Sequence, residues 1–328
     1  MLNEPTFSVI VPVYNSCKYI ERALKSLMNQ TFKNIEIICI NDGSTDDSLK
    51  ILKEFSDSDC RIKLINIEHE GPSCRNYGLD VATGKFISFL DSDDFFETNC
   101  LKTCLDLLSD NDMLIFETNV LNGNQDDDNY ASLKWEGSQI FDNEMILNTN
   151  VYLWNKIFRK SIIDRYKIRF EKNVWYEDAQ FFFNYAKVCR KVFYLNCKLH
   201  TYCRHTASIM SETKKYSPRA LDHLKIIRPV YYFWEKNNFL ENTDDRDTFL
   251  RIFEKYFFFA LNDSPFGFFR RQVFKLGNEL VEELRLNELG NSQLCESLHN
   301  QKYHKISGYE HFMKIIAKKI LRRYPKVG

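Results

Sequence analysis

The chain has 328 residues, more than one compact core usually fills, so two domains are expected. Hydrophobic residues make up 44% and charged residues 27%, which excludes a disordered or fibrous protein. Basic and acidic residues balance at 45 each, which excludes a chain-wide basic surface for nucleic acid.

The chain opens with "FSVIVPVY" (7–14), a continuous β-branched apolar run ended by Asn15, which predicts a buried parallel strand. "KYIERALKSLMNQ" carries a helical stripe at Ile20, Leu24 and Leu27 or Met28. "IEIICI" (35–40) predicts a second buried strand. In "NDGSTDDSLKILKEF" a glycine turn precedes a helix, with Ser44 or Thr45 as the expected N-cap and Asp46 and Asp47 in the first turn. "IKLINI" reads as a third strand, "GPSCRNYGLDVA" as a helix opened by Gly-Pro, "KFISFL" as a fourth strand and "TNCLKTCLDLL" as another helix. Such alternation with short links implies a parallel sheet with helices on both faces. Ligands bind such sheets beyond the carboxyl ends of the strands. Tyr14-Asn15, Asp42-Gly43 and Asp91–Asp94 all fall there.

Further along, "MLIFETNVL" predicts a strand, and the stretch after it a loop with an exposed tip at 125–129. "VYLWNKIFRKSIIDRY" and "WYEDAQFFFNYAKVC" read as helices, and "KVFYLNCKLHTYCRH" as a strand or two. Beyond about residue 215 the pattern is helical, which places a division near 205–215: residues 1–210 form an α/β domain and 211–328 a helical region. The ten cysteines include no C-x-x-C pair, so free thiols in a reducing compartment are expected. No run of about 18 apolar residues predicts a membrane span. "MLNEPTFSVIVPVYN" has no basic n-region or apolar h-region. The expected location is therefore cytoplasmic.

Three carboxylates crowded at the end of a buried strand need a cation. Oxygen donors spaced D-x-D suit a hard divalent ion that keeps positions open for diphosphate oxygens. Read alone, Asp91, Asp93 and Asp94 can also serve as caps for the following helix. Asp42 can accept hydrogen bonds from a ligand or simply form an Asx-type turn before Gly43, which is expected to supply a positive φ. Tyr14 can stack on a flat ring or pack in the core. Arg75 can offer planar donors or form a surface ion pair. Glu177 and Asp178 open a helix beside apolar surface, where a carboxylate gains basicity; two first-turn acids also satisfy a helix dipole.

Taken together, "SVIVPVYN", "QTFKNIEIICINDGSTDDS", "GPSCRNYGL", "ATGKFISFLDSDD" and "YEDAQFF" resemble glycosyltransferase family 2 in order and approximate spacing, over roughly residues 7–208. The resemblance implies a GT-A fold and an inverting, nucleotide-sugar-dependent transferase of the kind that builds bacterial surface glycans. It implies Asp93 and Asp91 as ligands of Mn2+ or Mg2+, with Asp94 in support. Pro12, Tyr14, Asn15, Asp42, Arg75, Asn76, Asp91 and Ser92 would hold the nucleotide-sugar. Asp178 would be the catalytic base, with Glu177 positioning it. "WNKIFRK" resembles a segment that precedes the base in many bacterial members; Trp154 would be a sugar platform, and Asn155 and Lys156 would meet acceptor or diphosphate. "YCRHTAS" resembles a segment closing over the donor, through Arg204, with His205 a weaker candidate. The Q-x-x-R-W of processive synthases is missing, so polymerisation is not expected.

The resemblance does not reach the last 115 or so residues. There, from Lys302 to Lys326, eight basic residues stand against Glu310 alone. Phe312, Ile316 and Ile320 share one helical face among five basic residues. A basic amphipathic helix over about 309–324 suits either an anionic membrane surface, bringing the enzyme to a lipid-linked acceptor, or docking on protein. Phe257–Phe259 and Phe266–Phe269 read as core or a homodimer face. The rival reading is a non-catalytic sugar-nucleotide-binding or scaffold protein of the same fold. A nucleotidyltransferase would want a glycine-rich basic loop after the first strand, where "VPVYNSCKY" stands.

Overall fold

The computed structural model describes residues 4–121, 133–205, 218–264 and 267–300. The loop tip at 125–129, Ser208 and the basic tail lie outside the described residues. The chain forms two compact units that interleave in sequence. The first comprises 1–142, 149–173 and 188–204; the second comprises 143–148, 174–187 and 205–328. A single cut near 210 therefore does not capture the division: two earlier segments belong with the C-terminal helices.

Among the described residues the first unit is built on one mixed sheet of nine strands. Strands β1 (Phe7–Val13), β2 (Ile35–Asp42), β3 (Ile62–Ile67) and β4 (Phe86–Phe89) are parallel, in the order β3-β2-β1-β4. Between them run α1 (Ile20–Met28), α2 (Ser48–Ser58) and α3 (Arg75–Val81). Every residue of β2 is buried, the mark of a strand covered on both faces. Val9, Val11, Ile37 and Cys39 pack with Leu24, Leu27 and Leu52 of the helices in one apolar core. Deleting such a side chain to alanine typically costs about 2–5 kcal/mol.

Beyond β4 the sheet turns mixed. Short β5 (Phe95–Phe96) and helix α4 (Cys100–Leu105) lead to β6 (Met113–Leu121), then β7 (Gly137–Ile140). Strand β8 (Lys156–Arg159) lies antiparallel between β4 and β6, and α6 (Lys160–Tyr166) follows it. Strand β9 (Lys191–Cys203) runs parallel to β6 and antiparallel to β5 and β7.

Two local expectations are corrected here. The helix expected over 151–166 begins only at Lys160, because "KIFR" is drawn into the sheet, where Ile157 pairs with Ser88 and Leu114. Helix α2 begins at Ser48 with Asp47, not Ser44 or Thr45, at the N-cap position and no capping bond from the Asp47 side chain; the preceding Asp46 serves the turn, its Oδ1 accepting from the Ser48 amide (2.9 Å) and Oδ2 from the Cys17 amide (3.0 Å). Burial works against that charge, but these bonds outweigh it and bring the Asp46 pKa down to about 2.

The second unit is helical. It takes α5 (Asn143–Asn148) and α7 (Glu177–Val188) from the earlier chain, then α8 (Asp222–Lys225), α9 (Ile227–Lys236), α10 (Thr243–Asp263), α11 (Gly267–Glu283), α12 (Leu286–Leu289) and α13 (Gln293–His299). Within the stretch "ALDHLKIIRPVYYFWEKN" the helix is broken after Lys225. Pro229 has no N–H for the Lys225 carbonyl, and its ring would crowd that carbonyl. The Asn242 side chain caps α10 by accepting from the Asp244 and Asp245 amides. Lys187 of α7 pairs with Asp245 and lies over the buried Trp234 ring. Phe257 is core, whereas Phe268 is 67% exposed.

Candidate active site

In the first unit the carboxyl ends of β1, β2, β3 and β4 carry a connected set of polar side chains. Tyr14, just past β1, is 47% exposed and stacks on His69, 4.2 Å between ring centroids. Asn15 takes a left-handed φ of +48, and its Oδ1 accepts from the Thr45 amide (2.8 Å). Its own amide donates to Ser44 Oγ (3.1 Å), so two loops are tied together. Pro12 is half-buried at the end of β1.

Asp42 ends β2 and is buried, with both oxygens engaged. The Glu70 amide donates to Oδ1 (2.6 Å), and the Gly71 amide donates to Oδ2 (2.9 Å). His69 Nδ1 lies 2.8 Å from Oδ2. A carboxylate can only accept, so Nδ1 carries the hydrogen. Gly43 has φ +69, and a Cβ there would sit 2.8 Å from the His69 amide nitrogen; both the conformation and the close approach require glycine.

The aspartates follow β4. Asp91 Oδ1 accepts from Arg75 Nη2 (2.9 Å), whose guanidinium also lies over the Phe170 ring. Ser92 Oγ bonds Ser16 Oγ (2.7 Å). Arg22 donates to the carbonyl of the half-buried Asp93 (2.6 Å). Asp94 is fully buried: the Cys203 amide donates to Oδ1 (2.8 Å), and Oδ2 lies 3.2 Å from His200 Nε2. Asn76 is engaged on both sides with the Phe170 backbone, at 2.9 Å each way.

Trp154, Asn155 and Lys156 are buried in this unit rather than open to a ligand. Trp154 stacks on Tyr152 and on His200 at 4.8 and 4.5 Å. Asn155 donates to the Phe116 carbonyl (3.1 Å). Lys156, at 0% exposure, donates to Asn150 Oδ1, the Tyr152 carbonyl and Asn155 Oδ1 at 2.6–2.8 Å. Its three ammonium hydrogens are spent on one turn. Arg204 follows β9, its amide donating to the Leu121 carbonyl (3.1 Å), and His205 begins the second unit.

Glu177 and Asp178 belong to the second unit, in the first turn of α7. Glu177 is buried and Asp178 half-buried. Tyr176, one residue before, has φ +139, and its carbonyl accepts from the Ala179 amide (3.0 Å).

Two histidines escaped the sequence reading. His69 was findable, since β3 ends on the same rim as its neighbours. His200 had no local signal, because its partner Asp94 is 106 positions away in sequence. Burial pushes the His200 pKa down to about 3, against the pull of Asp91, Asp93 and Glu97, so the imidazole is neutral.

An exposed aromatic, a buried acceptor, a guanidinium and an aspartate turn on one rim can together stack a flat ring, accept its hydrogen bonds and meet phosphate and cation. Among the described residues no group of three or more His, Cys, Asp or Glu is placed to hold an ion. Hard carboxylate oxygens at Asp91 and Asp93 fit a Mg2+- or Mn2+-type ion that takes its remaining ligands from phosphates and water.

The fold and this rim define a glycosyltransferase of GT-A architecture. Residues 8–174 match the family profile described as glycosyl transferase family 2, and the chain belongs to that family. It is 31% identical over 271 residues to the putative glycosyltransferase EpsH of Bacillus subtilis, covering 76% of this chain and 75% of that one. The crystal structure of residues 1–349 of S. aureus TarS in complex with UDP-GlcNAc superposes with a TM-score of 0.72 at 22% identity, covering 93% of this chain and 89% of that one. A mannosyltransferase of Pyrobaculum calidifontis, in complex with GDP-Man and Mn2+, shares the fold at a TM-score of 0.53 and 11% identity, covering 98% and 86%.

Proposed function

We propose that this glycosyltransferase is inverting and transfers a hexosyl or N-acetylhexosaminyl group from a UDP-sugar to a hydroxyl of a glycan or lipid-linked acceptor in bacterial surface-glycan synthesis. The observation that carries the donor class is the Tyr14–Asp42–Arg75–Asp91 set on one rim. Tyr14 offers an exposed ring face to a base, Asp42 an acceptor to its polar edge, and Arg75 a planar donor to phosphate. Asp93 and Asp91 would hold a divalent ion, which supplies charge stabilisation to the departing nucleotide diphosphate. Asp178 takes the proton of the acceptor hydroxyl, and Glu177 positions it. Attack from the face opposite the leaving group inverts the anomeric carbon, so an α-linked donor gives a β-linkage. The basic tail would bring the enzyme to an anionic membrane surface.

The test is a panel of nucleotide-sugars scored by thermal shift, in Mn2+ and in EDTA. A donor at 100 times its Kd stabilises by about 2.7 kcal/mol, a rise of several degrees in Tm. One UDP-sugar is expected to give that rise in Mn2+, to lose it in EDTA, and to lose it in Asp93→Asn. A folded protein that binds no nucleotide-sugar refutes the reading.

A further inference from the structure

Six non-glycine residues have positive φ among the described residues. Five lie at 48–61, the ordinary left-handed region. Tyr176 alone stands at +139, where a side-chain-bearing residue persists only if its surroundings hold it. It is also the residue immediately before Glu177 and Asp178.

The surroundings that hold it come from one short stretch of the same unit, residues 219–223. The Trp175 amide donates to Asp222 Oδ2 (3.2 Å), and the Arg219 guanidinium covers the Trp175 ring at 3.8 Å. The Tyr176 ring lies on the His223 ring, 3.7 Å between centroids and 12° from parallel. His223 is 7% exposed, and its Nε2 lies 2.9 Å from Asp263 Oδ2, at the end of α10. Tyr256 and Phe259 of α10 flank the same imidazole. The imidazole is thus fixed by a carboxylate and two aromatic rings, and the tyrosine is fixed by the imidazole.

We propose that His223, braced by Asp263, is a positioning residue for Asp178, acting through the ring of Tyr176. The proposal rests on the reading of Asp178 as the base. The Tyr176 backbone sets where the first turn of α7 begins, through its carbonyl bond to the Ala179 amide. Without the stack, Tyr176 relaxes toward negative φ, and the turn that carries Glu177 and Asp178 rotates with it. His223 touches neither acid in this role; it fixes the angle at which the helix leaves the turn.

The test combines hydrogen exchange with kinetics on the full chain. In His223→Ala, amides in residues 176–182 are expected to exchange about tenfold faster, as local opening becomes easier, while the first unit is unchanged. His223→Phe, which restores a ring but not the bond to Asp263, is expected to recover most of that protection. With the UDP-sugar chosen by the panel, kcat of His223→Ala is expected to fall by about 10–100-fold, the scale of a misplaced reacting group, with KM for the donor within about twofold. Asp263→Asn serves as the milder variant should the alanine fail to fold. Unchanged exchange at 176–182 overturns the brace. Faster exchange with unchanged kcat, while Asp178→Asn abolishes turnover, overturns the positioning role. Asp178→Asn with full turnover refutes the base reading instead, and the proposal with it.

Discussion

Asp42 carries two duties that substitution can separate from a neighbour's. Its carboxylate closes the turn at 69–71 by accepting two backbone amides, so it is part of the rim's frame. Tyr14 holds no such post; its ring is half open and stacks on His69. Asp42→Asn puts an NH2 where an acceptor stood and strands a buried amide, at about 1–3 kcal/mol. It is expected to lower Tm and weaken nucleotide binding together. Tyr14→Ala is expected to weaken binding with Tm nearly unchanged. Thermal melts and calorimetric titration with UDP on both variants check the contrast. Residue types at strand ends were legible because a parallel sheet collects its carboxyl ends on one rim. The burial of Trp154, Asn155 and Lys156 was not. Their partners are Phe116, Asn150, Tyr152 and His200, and short-range pattern cannot show that a tryptophan is covered by a histidine 46 positions on.

At the scale of elements, the opposite end of the parallel sheet is held by one buried acid. Glu36, in β2, accepts from Ser8 Oγ of β1 (2.5 Å) and from the Thr83 and Gly84 amides (2.7 and 3.2 Å), and pairs with Lys63 of β3 (2.6 Å). Burial opposes its charge, but the bonds from Lys63, Ser8 and Thr83 win and hold its carboxyl below the usual range. The folded state therefore binds fewer protons than the unfolded one below the ordinary glutamate pKa. The stabilisation is complete above about pH 4.5 and is lost as pH falls through the depressed folded value. Denaturant midpoints between pH 6 and pH 3 are expected to fall less steeply in Glu36→Gln, which keeps an acceptor but cannot titrate. Glu36→Ala takes the acceptor from the Ser8 hydroxyl and the Thr83 amide, while Lys63 stays half exposed to water, and is expected to cost about 1–3 kcal/mol at pH 7. The first four strands were readable because each is an unbroken apolar run. Strand β8 was not: four residues are too few to show alternation, and the hydrophobics beside them mimic a helical stripe.

At the scale of the molecule, no helix among the described residues is long and apolar enough to cross a membrane. The attachment proposed for the tail rests on its basic charge. Ending the chain at Asn300 removes eight of the 45 basic residues and one of the 45 acidic ones, leaving a formal charge of −7. Co-sedimentation with vesicles containing anionic phosphatidylglycerol is expected for the full chain and not for the shortened one, and to weaken as salt is raised. Equal sedimentation of both would remove the membrane reading of the tail. The helical unit was legible as a region but not as a unit, because α5 and α7 join it from within the α/β sequence.

That interleaving constrains how the gene can vary. The chain passes from one unit to the other five times before residue 206, and the acid proposed as base lies on an excursion between two stretches of the sheet. A single recombination breakpoint cannot exchange the sheet-bearing unit for a relative's while keeping α7 in its own surroundings. On the ribosome, likewise, the sheet stays unfinished until β9 has emerged, by which point α7 is already made. Change around α7 is thus more accessible to this protein through substitutions within that helix and its partners than through the shuffling of whole modules.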